Sequence, residues 1–286
     1  MDPADDGSAQ DGLLSRREPR RGRRRRSGDE PRRGLYLLPH VITSANLFFG
    51  FYAIVQSFQV DVAGSADRAA LGIVLAAVCD AIDGRVARLA RSSSRFGVEF
   101  DSIADTVSFG VAPAMLAFSA GHLQTLGRPG WVMSFLFTVC AALRLARFNV
   151  SPGRYKGFFE GMPSPAAAGM VATTQWFVSF LRESGIEVAV PEFLVAAGMA
   201  LLGLLMVSPI PYRSGKELDL RHSYGTLVLV VIALALVVQE PSVTLFVLGI
   251  AYVASGPVEW LWRRATGATL TELPHPDPLA SEPPRG

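Results

Sequence analysis

The sequence predicts an all-α fold: a polytopic helical membrane protein of about eight transmembrane helices, with both termini cytoplasmic. Three observations lead to it. Half of the 286 residues are hydrophobic and only 18% are charged, with mean hydropathy +0.30, which is apolar for a soluble domain of this length. The apolar residues are clumped into repeated runs of about 20, the length that crosses a hydrocarbon core of ~30 Å at ~1.5 Å per residue. Basic residues concentrate in alternate connections between those runs.

The elements follow in order. Residues 1–34 hold ten arginines, including the run Arg23 to Arg26, among Asp, Gly, Pro and Ser. No stretch there resembles a secretory h-region, so this is not read as a cleaved signal peptide. A disordered cytoplasmic tail is expected, lying near anionic lipid headgroups rather than on nucleic acid. A membrane domain over 35–265 comes next, with spans at 38–58, 67–90, 98–121, 130–149, 164–182, 190–209, 223–239 and 242–263. Pro163 and Pro165 set the entry of the fifth span, and Gly256-Pro257 reads as a kink in the eighth. Cys79 and Cys140 fall inside helices and suggest neither a disulfide framework nor a thiolate metal site. Residues 266–286, rich in Pro and polar side chains, are expected to form a second disordered cytoplasmic tail.

Charge checks the count of spans. With the N-terminus inside, the inner connections carry Arg85, Arg88, Arg91 and Arg95, then Arg144, Arg147, Arg154 and Lys156, then Arg213, Lys216 and Arg221. Arg263 and Arg264 flank the last span, while the outer connections hold only Arg68, Arg128 and Arg182. A seven-span arrangement breaks that alternation.

The chemistry lies in "CDAIDGRVARLARSSSRFGVEFDSIAD", residues 79–105. Asp80 and Asp83 are three apart and Asp101 and Asp105 four apart, so each pair shares a helix face. A short basic connection makes the two helices antiparallel neighbours, and both pairs can point at one place between them. Gly84, Ala87, Gly97, Ser108 and Ala112 line these faces with small side chains that admit close approach or a ligand. A carboxylate near the bilayer centre costs ~2.5–3.5 kcal/mol on insertion scales, and four crowded together also repel. Divalent cations offset that charge. An oxygen-only ligand set suits Mg²⁺ or Mn²⁺, and also Ca²⁺. Four carboxylates are enough for two ions that clamp a phosphate. A proton relay, the sodium site of a transporter, or structural salt bridges would use the same residue types.

Written out, the spacing is Asp80-x2-Asp83-Gly84-x2-Ala87-Arg88-x8-Gly97-x3-Asp101-x3-Asp105. It resembles the complete signature of the CDP-alcohol phosphatidyltransferase family, whose fold has a six-helix core. The resemblance implies that a CDP-linked lipid binds with its pyrophosphate on two Mg²⁺ or Mn²⁺ ions, an alcohol attacks the lipid-side phosphorus, and CMP leaves. Asp80, Asp83, Asp101 and Asp105 would be the metal ligands, and Asp105 also the general base. Gly84, Ala87, Arg88 and Gly97 would accommodate the CDP moiety. Further stretches resemble the phosphatidylserine synthase branch: "LPHVITSANLFFGF" (38–51), "FDSIADTVSFGVAPA" (100–114), "LRLARFNV" (143–150), "GMPSPAAAG" (161–169), "VSPIPYRSGKE" (207–217) and "YVASGPVEW" (252–260). That branch implies CDP-diacylglycerol and L-serine as substrates, a plasma-membrane enzyme working at the cytoplasmic face, and a homodimer. His40 stands where the branch has Asn. Glycerol 3-phosphate or an inositol compound is the alternative acceptor within the family.

Serine is a zwitterion and needs a cation for its carboxylate. Arg144 and Arg147, three apart at the inner end of the fourth span, are the candidates, since guanidinium binds carboxylate bidentately. Asn149 and Asn46 can add amide contacts. Both arginines would equally serve as snorkelling, positive-inside residues.

Overall fold

The structure is a computed structural model that describes residues 33–59, 61–90, 95–150, 157–213 and 224–267. Both predicted tails lie almost wholly outside them, as do Ser92 to Ser94, Lys216, Arg221 and the side chains of Ala87 and Arg88. Among the described residues the helices form eight rods: α1 (Arg33–Phe58), α2 (Ser65–Ala90), a composite third rod, α5 (Arg128–Val150), α6 (Ser164–Glu183), α7 (Glu192–Val207), α8 (Tyr224–Gln239) and α9 (Pro241–Thr266). The third rod runs through α3 (Arg95–Asp105), a π-helical stretch (Thr106–Val111) and α4 (Ala112–Ser119) without leaving helical backbone angles. Each rod coincides with one predicted span.

Four of these are long and apolar enough to cross a membrane, over His40–Phe58, Phe96–Ser119, Arg128–Val150 and Pro241–Thr266. The protein is therefore a helical membrane protein. α7 is strongly apolar but has only 16 residues. α2 spends its hydropathy on Asp67, Arg68, Asp80, Asp83 and Arg85.

Small residues decide how the rods meet. Ala69, Ala70 and Ala76 on α2 are fully buried against Ala53 on α1, and a side chain on Gly72 would strike the carbonyl of Phe49. Where side chains are small, dispersion between backbones replaces the hydrophobic effect that lipid cannot supply. The third rod is the centre of the bundle: 61% of its span is buried within the protein, against 6% for α9. Phe109, Ala112 and Leu116 on it pack with α1, α2 and α6, while Ala114 and Ala117 join a second cluster with α5, α6 and α7.

The π-helical stretch was not anticipated from sequence. It begins directly after Asp105 and turns three successive residues, Ser108, Phe109 and Gly110, all inward. A wider turn presents more consecutive residues to one side than an α-turn, and such insertions gather at functional sites. Its neighbours hold it. Ser108 Oγ donates to the carbonyl of Asn46 at 3.0 Å, and Thr138 Oγ1 on α5 donates to the carbonyl of Gly110 at 3.3 Å. Gly50 on α1 makes the first contact possible, because a Cβ there would overlap Ser108, including its Cα.

A two-stranded antiparallel sheet, its strands separated in sequence by α6 and α7, closes one end of the bundle. β1 (Phe158–Glu160) pairs with β2 (Pro211–Arg213), Phe159 opposite Tyr212. Gly161 (φ +76°) and Met162 then donate to the carbonyls of Ile210 and Leu205, docking the "GMPSP" turn on the end of α7. Pro163 caps α6 and Pro165 sits in its first turn, as expected of an entry device. Tyr212 is fully buried, and its hydroxyl donates to the carbonyl of Val253 at 3.0 Å. Gly256 has a packing role that the kink reading missed: its bare backbone is the seat of the Tyr212 ring. Arg263, ion-paired to Glu259, lies 4.9 Å over the Phe158 ring. α9 thus fastens the strand pair to the bundle.

Gly256→Leu should unseat Tyr212 and destabilise the protein by about 1–3 kcal/mol, the usual penalty for overpacking a filled site. Thermal unfolding in detergent measures this. Tyr212→Phe, which removes only the hydroxyl, should have a smaller effect of about 1 kcal/mol.

Candidate active site

Asp80 is on α2 and Asp101 and Asp105 on α3, and one carboxylate oxygen from each lies within 4.8 Å of the others. The two helices therefore bring both aspartate pairs to one place. Asp83 stands beside this trio rather than within it. Its Oδ2 accepts a hydrogen bond from Thr43 Oγ1 on α1, while Oδ1 is buried with no partner. Asp101 Oδ1 is likewise buried and unpartnered.

α1 supplies what the carboxylates receive from the protein. Asn46 is fully buried and its Nδ2 donates to Asp105 Oδ1 at 2.9 Å. Thr43, Asn46 and Gly50 fall at i, i+3 and i+7, one face of an otherwise apolar helix. That periodicity was the available signal for Thr43, which the sequence reading passed over. Of the Asn46 amide, expected to meet the acceptor alcohol, Nδ2 is held by Asp105, while Oδ1 is buried with no partner among the described residues.

The arginines divide. Arg147 Nη2 donates to the Glu160 carbonyl at 2.8 Å and Nη1 to the Val207 carbonyl at 3.1 Å, with longer contacts to the carbonyls of Met206 and Ser208. It caps the C-terminus of α7 and ties it to β1. Arg144 is buried, only 8% exposed, and has one hydrogen bond, from Nη1 to Ser164 Oγ at 3.2 Å. Its Nε has no partner. Among the described residues no carboxylate approaches within ion-pairing distance of it, yet its charge acts on Asp80 and Asp105. Asn149 is exposed and donates to Ser102 Oγ at 2.7 Å. Gly84 and Gly97 are half-buried beside the aspartates in sequence. His40 packs edge-on against Phe96, with ring centroids 5.7 Å apart.

The donor set fits a hard divalent cation. Two like charges about 4 Å apart repel by ~4 kcal/mol at an effective dielectric of ~20. Here three carboxylate oxygens lie within 4.8 Å of one another, and Oδ1 of Asp83, Asp101 and Asn46 are buried without partners. Asn46 and Thr43 are neutral and cannot offset the charge. The ligand atoms gathered among the described residues are oxygens, the preference of Mg²⁺ and Mn²⁺.

Fold and site together define a helical membrane protein with a cluster of carboxylates that could hold a divalent cation. Comparison with known proteins gives the family. The model of CDP-alcohol phosphatidyltransferases matches residues 36–208, and the chain belongs to that family. It is 37% identical over 236 residues to a CDP-diacylglycerol–serine O-phosphatidyltransferase of Helicobacter pylori, covering 80% of this chain and 92% of the relative. It is 32% identical over 241 residues to the protein of that name from Mycobacterium tuberculosis, covering 79% of each. With the Saccharomyces cerevisiae protein of that name it shares 44% identity over 142 residues, 46% of this chain and 50% of the relative. Family membership separates the chain from the transport reading that carboxylate spacing alone left open.

The purified protein should bind Mn²⁺, read by electron paramagnetic resonance. Asp101→Asn should abolish that binding, and Asn46→Leu should weaken it about tenfold, as loss of a ligand's supporting hydrogen bond does. Wild-type affinity in Asp101→Asn would rule the cluster out as the cation site.

Proposed function

We propose that the protein makes phosphatidylserine, transferring the phosphatidyl group of CDP-diacylglycerol to the hydroxyl of L-serine with release of CMP. The observation that carries this reading is the convergence of Asp80, Asp101 and Asp105. The serine acceptor rests on the names of the relatives.

Asp80, Asp101 and Asp105 hold Mg²⁺ or Mn²⁺, and the unpartnered Oδ1 of Asp83 completes a set large enough for two ions. The bound cation stabilises charge on the transferring phosphoryl group and on the leaving CMP. Asn46 holds Oδ1 of Asp105, which leaves Oδ2 to take the proton of the serine hydroxyl. The hydroxyl oxygen then bonds to the phosphorus carrying the diacylglycerol, and the bond from that phosphorus to the CMP oxygen breaks. Gly84 and Gly97 give the nucleotide room beside the aspartates, with Ala87 and Arg88 one turn further along α2.

Arg144 holds the serine carboxylate. It is a buried guanidinium with an unpaired Nε and no ion partner among the described residues, which is an expensive state unless an anion comes to it. Arg147, occupied by four carbonyls, is a structural clamp. Asn149, already bonded to Ser102, stands at the rim.

The membrane arrangement belongs to the same proposal. Eight spans with both termini in the cytoplasm put the aspartates, Arg144 and the strand pair at the cytoplasmic side of the plasma membrane, where soluble serine and CMP exchange. The Arg-rich tail lies against anionic lipid, and the working unit is a homodimer.

CMP release by the purified protein should require CDP-diacylglycerol, a divalent cation and L-serine. Glycerol 3-phosphate and inositol in place of serine should give none, and turnover with either would reassign the acceptor. Asp105→Asn should remove turnover. Arg144→Ala should raise the KM for serine at least about tenfold, the loss expected for a charge-assisted hydrogen bond, whereas Arg147→Ala should lower thermal stability and leave that KM unchanged. An unaltered serine KM in Arg144→Ala would remove Arg144 from the acceptor site.

A further inference from the structure

A cavity of about 930 Å³ opens between α4, α6 and α7. It is separate from the aspartates: Leu116 in its wall stands on the order of 15 Å along the third rod from Asp105. It also lies at the opposite end of α6 from Ser164, the partner of Arg144. The walls are mostly apolar and include Leu116, Ala117, Val178, Val195, Met199 and Leu202. The polar side chains among them are already bonded within the bundle, Thr174 to the carbonyl of Met170 and Gln175 to Asp67 and Ser179. The rim holds His122 and three charged side chains, Arg182 at the end of α6, Glu187 in the linker and Glu192 in the first turn of α7. Among the described residues these three side chains make no hydrogen bond or ion pair.

Depth and rim ask for different chemistry, and an amphiphile satisfies both. A small polar solute has nothing to bond in an aliphatic interior, and a bare hydrocarbon leaves the rim unused. The signs at the rim narrow the headgroup. One guanidinium and two carboxylates sum to a net negative charge, which attracts an ammonium, provides one seat for a phosphate, and repels a headgroup of net negative charge. A primary ammonium donates hydrogen bonds to carboxylates, whereas a quaternary one has no hydrogen to give.

We propose that this cavity binds a zwitterionic glycerophospholipid with a primary amine. Its acyl chain lies along the α4–α6–α7 walls, its phosphate sits on Arg182, and its ammonium sits between Glu187 and Glu192. The site is distinct from the substrate site and does not depend on which alcohol the enzyme accepts.

Gly198 provides a clean test. It lines the cavity, and a Cβ added there meets no atom within 4 Å. Gly198→Phe therefore fills the space without striking backbone. The full-length protein, stripped of lipid in detergent, is mixed with phosphatidylethanolamine, phosphatidylcholine or phosphatidylglycerol and observed by native mass spectrometry. Wild type should retain phosphatidylethanolamine about tenfold more tightly than the other two, the ratio expected for one charge-assisted hydrogen bond. Gly198→Phe should lose that retention while keeping wild-type CMP release, which shows that it is folded. Equal retention of the three lipids by wild type, or undiminished retention by an active Gly198→Phe, overturns the proposal. Should Gly198→Phe prove inactive, Glu187→Gln combined with Glu192→Gln decides. Both residues are at the rim, and the pair should bring phosphatidylethanolamine down to the level of phosphatidylcholine. An unchanged ratio overturns the proposal.

Discussion

The contact between Gly50 on α1 and the π-helical stretch of the third rod governs the rest of the structure. Carboxylates that repel one another stay together only if the surrounding backbone leaves them no room to separate. Here the absence of a side chain at Gly50 lets α1 lie directly against Ser108. That approach brings Asn46 to Asp105 and Thr43 to Asp83. The wide turn immediately after Asp105 buries Ser108, Phe109 and Gly110 together, so the segment bearing two aspartates is clasped from α1 on one side and from Thr138 of α5 on the other. Neutral donors orient the carboxylates without cancelling their charge. The site therefore keeps its demand for a counter-charge.

The same logic separates the two arginines of α5. A guanidinium has five donors, and what it does depends on how many of them the fold consumes. Arg147 spends its Nη groups on carbonyls at the end of α7 and on β1, so it stabilises a helix terminus whose carbonyls would otherwise lack partners. Arg144, one turn earlier, is left with a single contact to Ser164 and an idle Nε. β1 adds to the difference, because it presents the Glu160 carbonyl to Arg147 and not to Arg144. Tyr212, Gly256 and Arg263 in turn fix the strand pair to α9, so a helix with little of its own span buried still braces the strand that Arg147 holds.

At the other end of the molecule polarity is satisfied internally. Asp67 on α2 accepts from Ser179 at 2.7 Å and from Gln175 at 3.3 Å, and its backbone carbonyl accepts from Trp176 at 3.1 Å, all on α6. This acidic residue has the partners that Oδ1 of Asp83 and Oδ1 of Asp101 lack, and it joins two helices rather than awaiting a ligand. A carboxylate in a membrane protein is a functional signal when its oxygens are left unpaired. By that measure the two ends of α2 have opposite characters.

The amino-acid sequence by itself determined the helical rods, their membrane character, and the four aspartates with their small neighbours. Each depends on local pattern: run length for the rods, and i, i+3 and i, i+4 spacing for the carboxylate faces. Its family signature also contained the positions that the structure gathers at the site. Tertiary structure decided the partners. Arg144 and Arg147 share a face by periodicity, and nothing within their own helix says that the carbonyls of residues 160 and 206–208 will occupy one of them. Asn46 looked free for a substrate because Asp105 is 59 residues away. The π-helical turn and the seat of Tyr212 on Gly256 have no local signature, since each is a response to a neighbouring helix that approaches closely. Periodicity sets which way a side chain faces. Only the packing of distant segments sets what it finds there.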